Sequence, residues 1–175
     1  MASGGVGASA VVWRSQEILL VRGQRPDDAD PVWVLPGGQV EDDELVHEAV
    51  VREVREEAGI RLHSLERLLF VSQHDFVDHP RWGGRYTAFT FETRVDAAAS
   101  PLSDDPHGTV DAAEFVPVDE AIRRLSRLEF GPMRDPVIAH LRGEEGVAGL
   151  WLWRMSVADS HHQPVAVIPF HGAAS

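Results

Sequence analysis

The sequence contains no cysteine and no lysine, and each absence excludes a group of chemistries. Without cysteine the chain can form no disulfide, no thiolate zinc site and no cysteine nucleophile. Without lysine it has no lysine nucleophile, no Schiff base and no P-loop lysine, so all 16 basic residues are arginine. Positive charge for binding an anion must therefore come from arginine or from a bound metal ion.

Long hydrophobic runs are also absent. No stretch approaches the length of a membrane span, and residues 1–13 have neither the basic start nor the apolar run of a signal peptide. We therefore expect a cytoplasmic protein that makes no membrane contact. The 175 residues are the size of one domain with a real core.

Acidic residues outnumber basic ones by 28 to 16, which gives a net charge of −12. Binding of a nucleic acid depends on neutralising its phosphates with cationic side chains, so this charge disfavours a polynucleotide partner. A local arginine cluster could still accept a capped or single-stranded end. The expected partner is a small molecule.

The most informative stretch is residues 37–60, which reads as a glycine turn, an acidic approach and one amphipathic helix. At 100° per residue, three carboxylates near the end of this helix fall within about 100° of arc. Like charges at this spacing repel each other, and the helix dipole disfavours negative charge there. A hard cation such as Mg²⁺, which binds carboxylates together with phosphates, is the natural compensation. The three carboxylates belong to Glu53, Glu56 and Glu57.

The spacing of residues in this stretch matches the complete Nudix box. A chance match to its seven identities and two aliphatic positions has a probability on the order of 10⁻⁹ per starting position. The chain therefore resembles the Nudix hydrolases. The matching residues are Gly38, Glu44, Arg52, Glu53, Val54, Glu56, Glu57, Gly59 and Ile60.

The resemblance implies a fold and an activity. The fold is α/β, an α/β/α sandwich around a mixed β-sheet. The activity is metal-dependent hydrolysis, with Mg²⁺ or Mn²⁺, of the pyrophosphate linkage in a nucleoside diphosphate linked to another moiety. The substrate is expected to be an ADP-sugar or a small nucleotide similar to a nucleoside triphosphate. Two alternatives stay open: a housecleaning triphosphatase of damaged nucleotides, and a non-catalytic Nudix-fold nucleotide sensor.

The resemblance also implies roles for individual residues. The metal ligands would be the carbonyl of Gly37 and the carboxylates of Glu53, Glu56 and Glu57, with Glu56 as third ligand or general base. Arg52 would orient these glutamates. Some family members take the general base from a later loop. The candidates for that base are Asp104, Asp105, Asp111 and Glu114, of which we prefer Glu114 because it adjoins a predicted strand.

Candidate substrate-binding residues follow from side-chain chemistry. Trp82 and Tyr86 are candidates to stack on a base, since stacking tolerates any base. Arg22 and Arg81 are candidates to contact phosphate. The residues that mark ADP-ribose and dinucleoside polyphosphate enzymes in the family are absent near positions 75–78, so the substrate stays open.

Patterns of alternation and periodicity predict strands on both sides of the box and two helices after it. Asp42 or Asp43 is expected to cap the box helix. We assign residues 1–145 to a Nudix hydrolase domain and 146–175 to a C-terminal extension. This extension would pack on the same domain or form the interface of a homodimer. The predicted strands are 8–14, 17–22, 33–35, 65–76, 86–95 and 114–118, and the predicted later helices are 119–128 and 136–142.

Overall fold

The computed structural model describes residues 4–23, 30–76, 84–102, 108–156 and 163–170. These residues form nine strands and three helices. The strands are β1 (Val6–Arg14), β2 (Glu17–Gly23), β3 (Val32–Val34), β4 (Gly37–Gln39), β5 (Arg67–Phe76), β6 (Gly84–Arg94), β7 (Val110–Pro117), β8 (Gly149–Met155) and β9 (Pro164–Pro169). The helices are α1 (Val46–Ala58), α2 (Val118–Leu125) and α3 (Gly131–Leu141).

The nine strands belong to one mixed sheet. Its main order is β3-β2-β1-β6-β5-β8-β9, with β4 paired to β1 and β7 paired to β2. The pairs β1–β6 and β5–β8 are parallel, and the other pairs are antiparallel. The mixed sheet therefore places β4, which leads into the box helix, beside the first strand of the chain.

Two hydrophobic cores cover the two faces of the sheet. On one face, Val50 and Val54 of α1 pack against Ala10, Val12 and Leu19. On the other face, Ala121 of α2 and Val137 of α3 pack against side chains that include Val11, Ile18 and Phe70. Alternate residues of β1 and β2 point into opposite cores, as the pleat requires. The predicted α/β/α sandwich around a mixed sheet is confirmed.

The box helix α1 begins at Val46, and its cap differs from the predicted one. The capping residue is Leu45, whose N–H donates to the Glu48 carboxylate over 2.8 Å. Asp43 instead adopts a left-handed conformation with φ 69° in the approach. The helix ends at Gly59, where a φ of 66° favours glycine.

Helix α3 begins five residues before the predicted start at Pro136. Proline inside a helix removes one backbone hydrogen bond, which leaves the carbonyl four residues earlier without its helical donor. Here that carbonyl belongs to Pro132, and the hydroxyl of buried Ser72 on β5 donates to it over 3.1 Å. A side chain from the sheet therefore replaces the bond that Pro136 cannot make.

The last two strands extend the sheet at one edge. β8 pairs parallel with β5, and β9 folds back antiparallel on β8. Trp151 and Trp153 of β8 are buried in the same core as α3. Among the described residues, no helix is both long enough and apolar enough to span a lipid bilayer.

We predict that Ser72→Ala lowers the free energy of unfolding by about 1–3 kcal/mol, because the buried Pro132 carbonyl loses this donor. The matched control is Ser126→Ala. The Ser126 hydroxyl also donates to a helical carbonyl, that of Ile122, but at an exposed position where water can replace it. Urea denaturation at pH 7 should show a change within about 0.5 kcal/mol for the control. Equal effects in the two variants would contradict this explanation of α3.

Candidate active site

The candidate site lies where α1 crosses the short strand β4. The N–H of Gly37 donates to Glu57 Oε2 over 2.8 Å. Gly38 approaches α1 so closely that a Cβ there would collide with the Glu53 carboxylate, at 2.7 Å from its Cδ. A side chain at position 38 would therefore displace Glu53, which explains in physical terms why glycine occupies this position.

Arg52 joins most of the acidic residues of the box. Its Nε donates to Glu44 Oε1 and its Nη2 donates to Glu44 Oε2, each over 2.9 Å, which makes a bidentate ion pair. Its Nη1 donates to Glu53 over 2.8 Å and to Glu56 over 3.3 Å. Its Nη2 also donates to the carbonyl of Gln39 at the end of β4. One guanidinium therefore fixes the helix, the acidic approach and β4 relative to one another.

The pKa values of two carboxylates that contact Arg52 shift in opposite directions. Hydrogen bonding to Arg52 lowers the pKa of Glu44, whereas burial raises the pKa of Glu53 despite its own bond to Arg52. The negative charges of Glu56 and Glu44 also raise the pKa of Glu53. The pKa of Arg52 is raised, chiefly by its hydrogen bond to Glu44. Burial therefore disfavours the ionised form of Glu53, and a further cation beside it would stabilise that form.

The donor chemistry of the site fits a hard divalent ion, because all the side-chain donors are carboxylates. As placed in the structure, Glu53 and Glu56 both contact Arg52 Nη1, and Glu57 contacts the backbone of β4. Across the described ranges, no three acidic or histidine side chains are arranged as a ready-made metal site. Ion binding at these residues would therefore require Glu53 or Glu56 to turn partly away from Arg52.

Two arginine side chains lie close to the ring of Trp33 in β3, and we call this group the Trp33 cluster. Along the chain, Trp33 is four residues before Gly37. The Arg124 guanidinium lies 4.2 Å from the centre of the Trp33 ring, and that of Arg22 lies 5.7 Å from it. Arg22 also makes a bidentate pair with Asp111, at 2.8 and 3.0 Å. Four extended residues span at most about 14 Å, so Trp33 is within that distance of Gly37. Trp33 and Arg124 were not among the predicted site residues.

A sequence signal existed for one of these two residues. Trp33 begins the Trp-Val-Leu-Pro-Gly run that leads into the box, and this run could have identified it. Arg124 had no such signal, because its contact with Trp33 depends on how α2 packs beside β3.

Glu114 lies on the face of the sheet away from α1. It is opposite Leu20 in the β2–β7 register, and Leu20 belongs to the core under α2 and α3. Its carboxylate pairs with Arg124 Nη1 over 2.8 Å. The structure therefore brings Glu114 to the Trp33 cluster and not to the box glutamates.

The other predicted substrate-binding residues are distributed as follows. Tyr86 stacks on His74 with ring centres 5.3 Å apart. The Tyr86 ring also lies close to the residue before β1, where a Cβ on Gly5 would be 2.7 Å from it. His74 in turn contacts Phe130 at the start of α3, so Tyr86 also lies on the face away from α1. Arg81 and Trp82, like Asp104 and Asp105, lie outside the described residues.

Comparison with curated proteins identifies related pyrophosphohydrolases. The chain is 38% identical over 96 residues to the 8-oxo-dGDP phosphatase NUDT18 of Danio rerio, a match covering 55% of this chain and 28% of that protein. It is 35% identical over 85 residues to the RNA pyrophosphohydrolase of Cereibacter sphaeroides, covering 43% and 51%. These matches span about a quarter to a half of the relatives' lengths.

Solved structures share the fold. A MutT NUDIX hydrolase from Burkholderia pseudomallei is 31% identical, with a TM-score of 0.55 over 67% of this chain and 85% of that one. The NUDIX domain of Shewanella oneidensis NrtR, solved with ADP ribose, is 17% identical, with a TM-score of 0.63 over 82% and 89%, a likeness of fold alone.

The sequence model of the NUDIX domain matches residues 4–141, which include β1 to α3 and the whole Arg52 network. The chain therefore belongs to the NUDIX domain family.

Proposed function

We propose that this protein hydrolyses the pyrophosphate linkage of a small nucleoside diphosphate linked to another moiety, in a reaction that depends on Mg²⁺ or Mn²⁺. The observation that carries the proposal is the convergence of Glu44, Glu53 and Glu56 on Arg52, next to the β4 backbone that contacts Glu57. A non-catalytic sensor would have no need of every box carboxylate.

Glu53, Glu56 and Glu57 would hold the metal ion together with the carbonyl of Gly37. When bound, the ion neutralises the linked phosphates and activates water. Such an ion is needed because a diphosphate would otherwise meet the carboxylates of a chain with net charge −12 and no lysine. A manganese ion is present with AMP in a bifunctional Francisella tularensis enzyme of the same fold.

Arg52 and Glu44 would orient the carboxylates that act on the substrate. Arg52, anchored bidentately by Glu44, fixes the positions from which Glu53 and Glu56 act. Glu56, whose other carboxylate oxygen lies 3.3 Å from Arg55, would act either as the third metal ligand or as the general base that accepts the proton of the attacking water. Water attack on one phosphorus breaks the bridging P–O bond and releases two phosphorylated products.

The substrate's base would stack on the Trp33 ring, four residues before Gly37, by displacing the Arg124 guanidinium, which now lies 4.2 Å from the ring centre. Arg22, which pairs with Asp111 and lies 5.7 Å from the centre of the Trp33 ring, stays a candidate for contact with the phosphate or ribose. Glu114 acts at this end of the site through Arg124 rather than as a general base. Trp33 is therefore a further candidate for stacking, beside Trp82, which stays a prediction, and Tyr86, which lies on the face away from α1.

A small nucleotide is favoured over RNA, although one relative is an RNA pyrophosphohydrolase. At the Trp33 cluster, Asp111 and Glu114 neutralise Arg22 and Arg124, so little free positive charge remains for a polynucleotide backbone. A damaged nucleotide is a second candidate class, because another relative acts on 8-oxo-dGDP.

The proposal predicts turnover in a panel of nucleotides with Mg²⁺ and none after EDTA. The panel contains ADP-sugars, nucleoside triphosphates, 8-oxo-dGDP and an RNA with a 5′-triphosphate. Products are identified by chromatography, since two monophosphates indicate cleavage of an ADP-sugar and pyrophosphate indicates the triphosphatase alternative. If at least one nucleotide binds but no member of the panel is hydrolysed, the result would support the sensor and contradict the proposal.

Glu57→Gln should reduce kcat by about 100-fold or more, because the amide binds a cation poorly. Glu145→Gln, a neutralisation at an exposed position far from the box in sequence, is the matched control and should retain full activity. An unchanged kcat for Glu57→Gln would exclude the assignment of this carboxylate to the metal.

Trp33→Ala should raise KM by about 10-fold or more with a smaller change in kcat, because stacking contributes about 1–3 kcal/mol to base binding. Tyr86→Ala is the comparison variant, since Tyr86 stacks on His74 at a different part of the sheet. Steady-state kinetics on the best substrate of the panel measures both. A larger KM effect for Tyr86→Ala would place the base at Tyr86 instead.

A further inference from the structure

A cavity lies beside α1, between this helix, the segment before β5 and the strands β5 and β6. Its volume is about 400 Å³, which is within the roughly 300–1,000 Å³ that small-molecule sites occupy. Such sites combine an apolar wall with a few polar groups that fix the orientation of the ligand. Both features are present in this cavity.

The wall of the cavity is apolar. Val51, Leu65 and Phe91 line it, and each also packs against the core under α1 while staying partly exposed. Leu68 is opposite Phe91 in the β5–β6 register, so it lines the cavity from the same face of the sheet. Water in the cavity therefore meets apolar surface on several sides, and an apolar ligand that replaced this water would bind favourably.

The mouth of the cavity is polar and has no carboxylate. The remaining lining residues are all exposed, and they are His47, His63, Ser64 and Arg67. Among the described residues, no acidic side chain lines the cavity, although acidic residues outnumber arginine by 28 to 16 in the chain. The mouth therefore differs in charge from most of the surface, and it offers hydrogen-bond donors to an anion.

Arg67 keeps donors available after its ion pair is formed. Its Nε donates to Glu92 Oε2 over 2.6 Å, and its side chain is 59% exposed. The other oxygen of Glu92 accepts hydrogen bonds from Trp13 and His140. Within the described ranges, the two terminal nitrogens of Arg67 have no acceptor. An anionic group at the mouth of the cavity would supply one.

We propose that this cavity binds a small amphipathic anion, a molecule with an apolar ring body and one acidic group. The body would lie against Val51, Leu68 and Phe91, and the acidic group would accept hydrogen bonds from Arg67 at the mouth. The volume is at the small end of the range for such sites, so the ligand is compact. This inference goes beyond the proposed function and does not depend on it.

Helix α1 separates the cavity from the candidate active site. At 100° per residue, the carboxylates of Glu53, Glu56 and Glu57 lie roughly 120–160° around the helix axis from Val51. Val51 lines the cavity, whereas Glu57 contacts the N–H of Gly37 in β4. A nucleotide at the active site and a ligand in the cavity should therefore bind without competing.

Fluorescence titration of the full chain with 8-anilinonaphthalene-1-sulfonate tests the proposal, because this probe joins an apolar ring body to one acidic group. The wild-type protein should bind one equivalent with a Kd on the order of 10–100 μM. N-phenyl-1-naphthylamine has the same body without the sulfonate and should bind about five-fold more weakly or worse. ADP-ribose and ATP, each with Mg²⁺, should displace neither probe.

Two variants separate the contributions of shape and charge. Ser64→Trp should weaken both probes by about ten-fold or more by filling the mouth; the fold should tolerate it, because Ser64 is exposed and accepts the Thr93 hydrogen bond through its backbone carbonyl. Arg67→Gln should weaken the sulfonate probe by about five-fold or more and leave the neutral probe within about two-fold. Arg94→Gln is the matched control, since Arg94 is 58% exposed and does not line the cavity, and it should bind both probes as the wild type does.

Thermal unfolding checks that each variant is folded. If Arg67→Gln does not fold, the comparison of the two probes on the wild type and on Ser64→Trp decides the question. Four results would each overturn the proposal: no saturable binding to the wild type, unchanged binding to Ser64→Trp, an equal loss of both probes in Arg67→Gln, or displacement by either nucleotide.

Discussion

The ion pairs of Arg52 are the interaction on which the rest of the site depends. Three carboxylates from the acidic approach and from α1 contact this one guanidinium, and its Nη2 also donates to the β4 backbone. Without it, Glu44, Glu53 and Glu56 would lose the cation that they share, and Glu56 would keep only its contact with Arg55. Arg52 therefore makes the acidic helix compatible with a folded protein.

The same arrangement explains why the site suits an additional cation. Arg52 uses two of its five hydrogen bonds for Glu44 and one for the Gln39 carbonyl, so Glu53 and Glu56 share the single nitrogen Nη1. Burial raises the pKa of Glu53, so its charged form is costly there unless a further cation stabilises it. An arginine that satisfied all the carboxylates would leave nothing for a metal ion to bind. The partial compensation keeps the carboxylates oriented and still able to bind one.

The box and the fold class could be predicted from the sequence because fixed spacings on one helix determine which side chains share a face. Glu53, Glu56 and Arg52 are neighbours for that reason alone. Contacts between distant segments could not be predicted in this way. Pro136 reads locally as a helix start, but the Ser72 hydroxyl, 60 residues earlier than Pro132, allows α3 to begin before it. The face on which Glu114 lies is likewise set by its pairing with Leu20 of β2, which no local pattern reveals.

The central claim is that Glu53, Glu56 and Glu57 bind a divalent ion beside Arg52. Crystals grown with MnCl₂ test it most directly, through anomalous difference density. The account predicts a manganese peak bordered by these three carboxylates, with Glu44 still paired to Arg52. Absence of a peak at this position, with Glu53 and Glu56 both still contacting Arg52 Nη1, would contradict it.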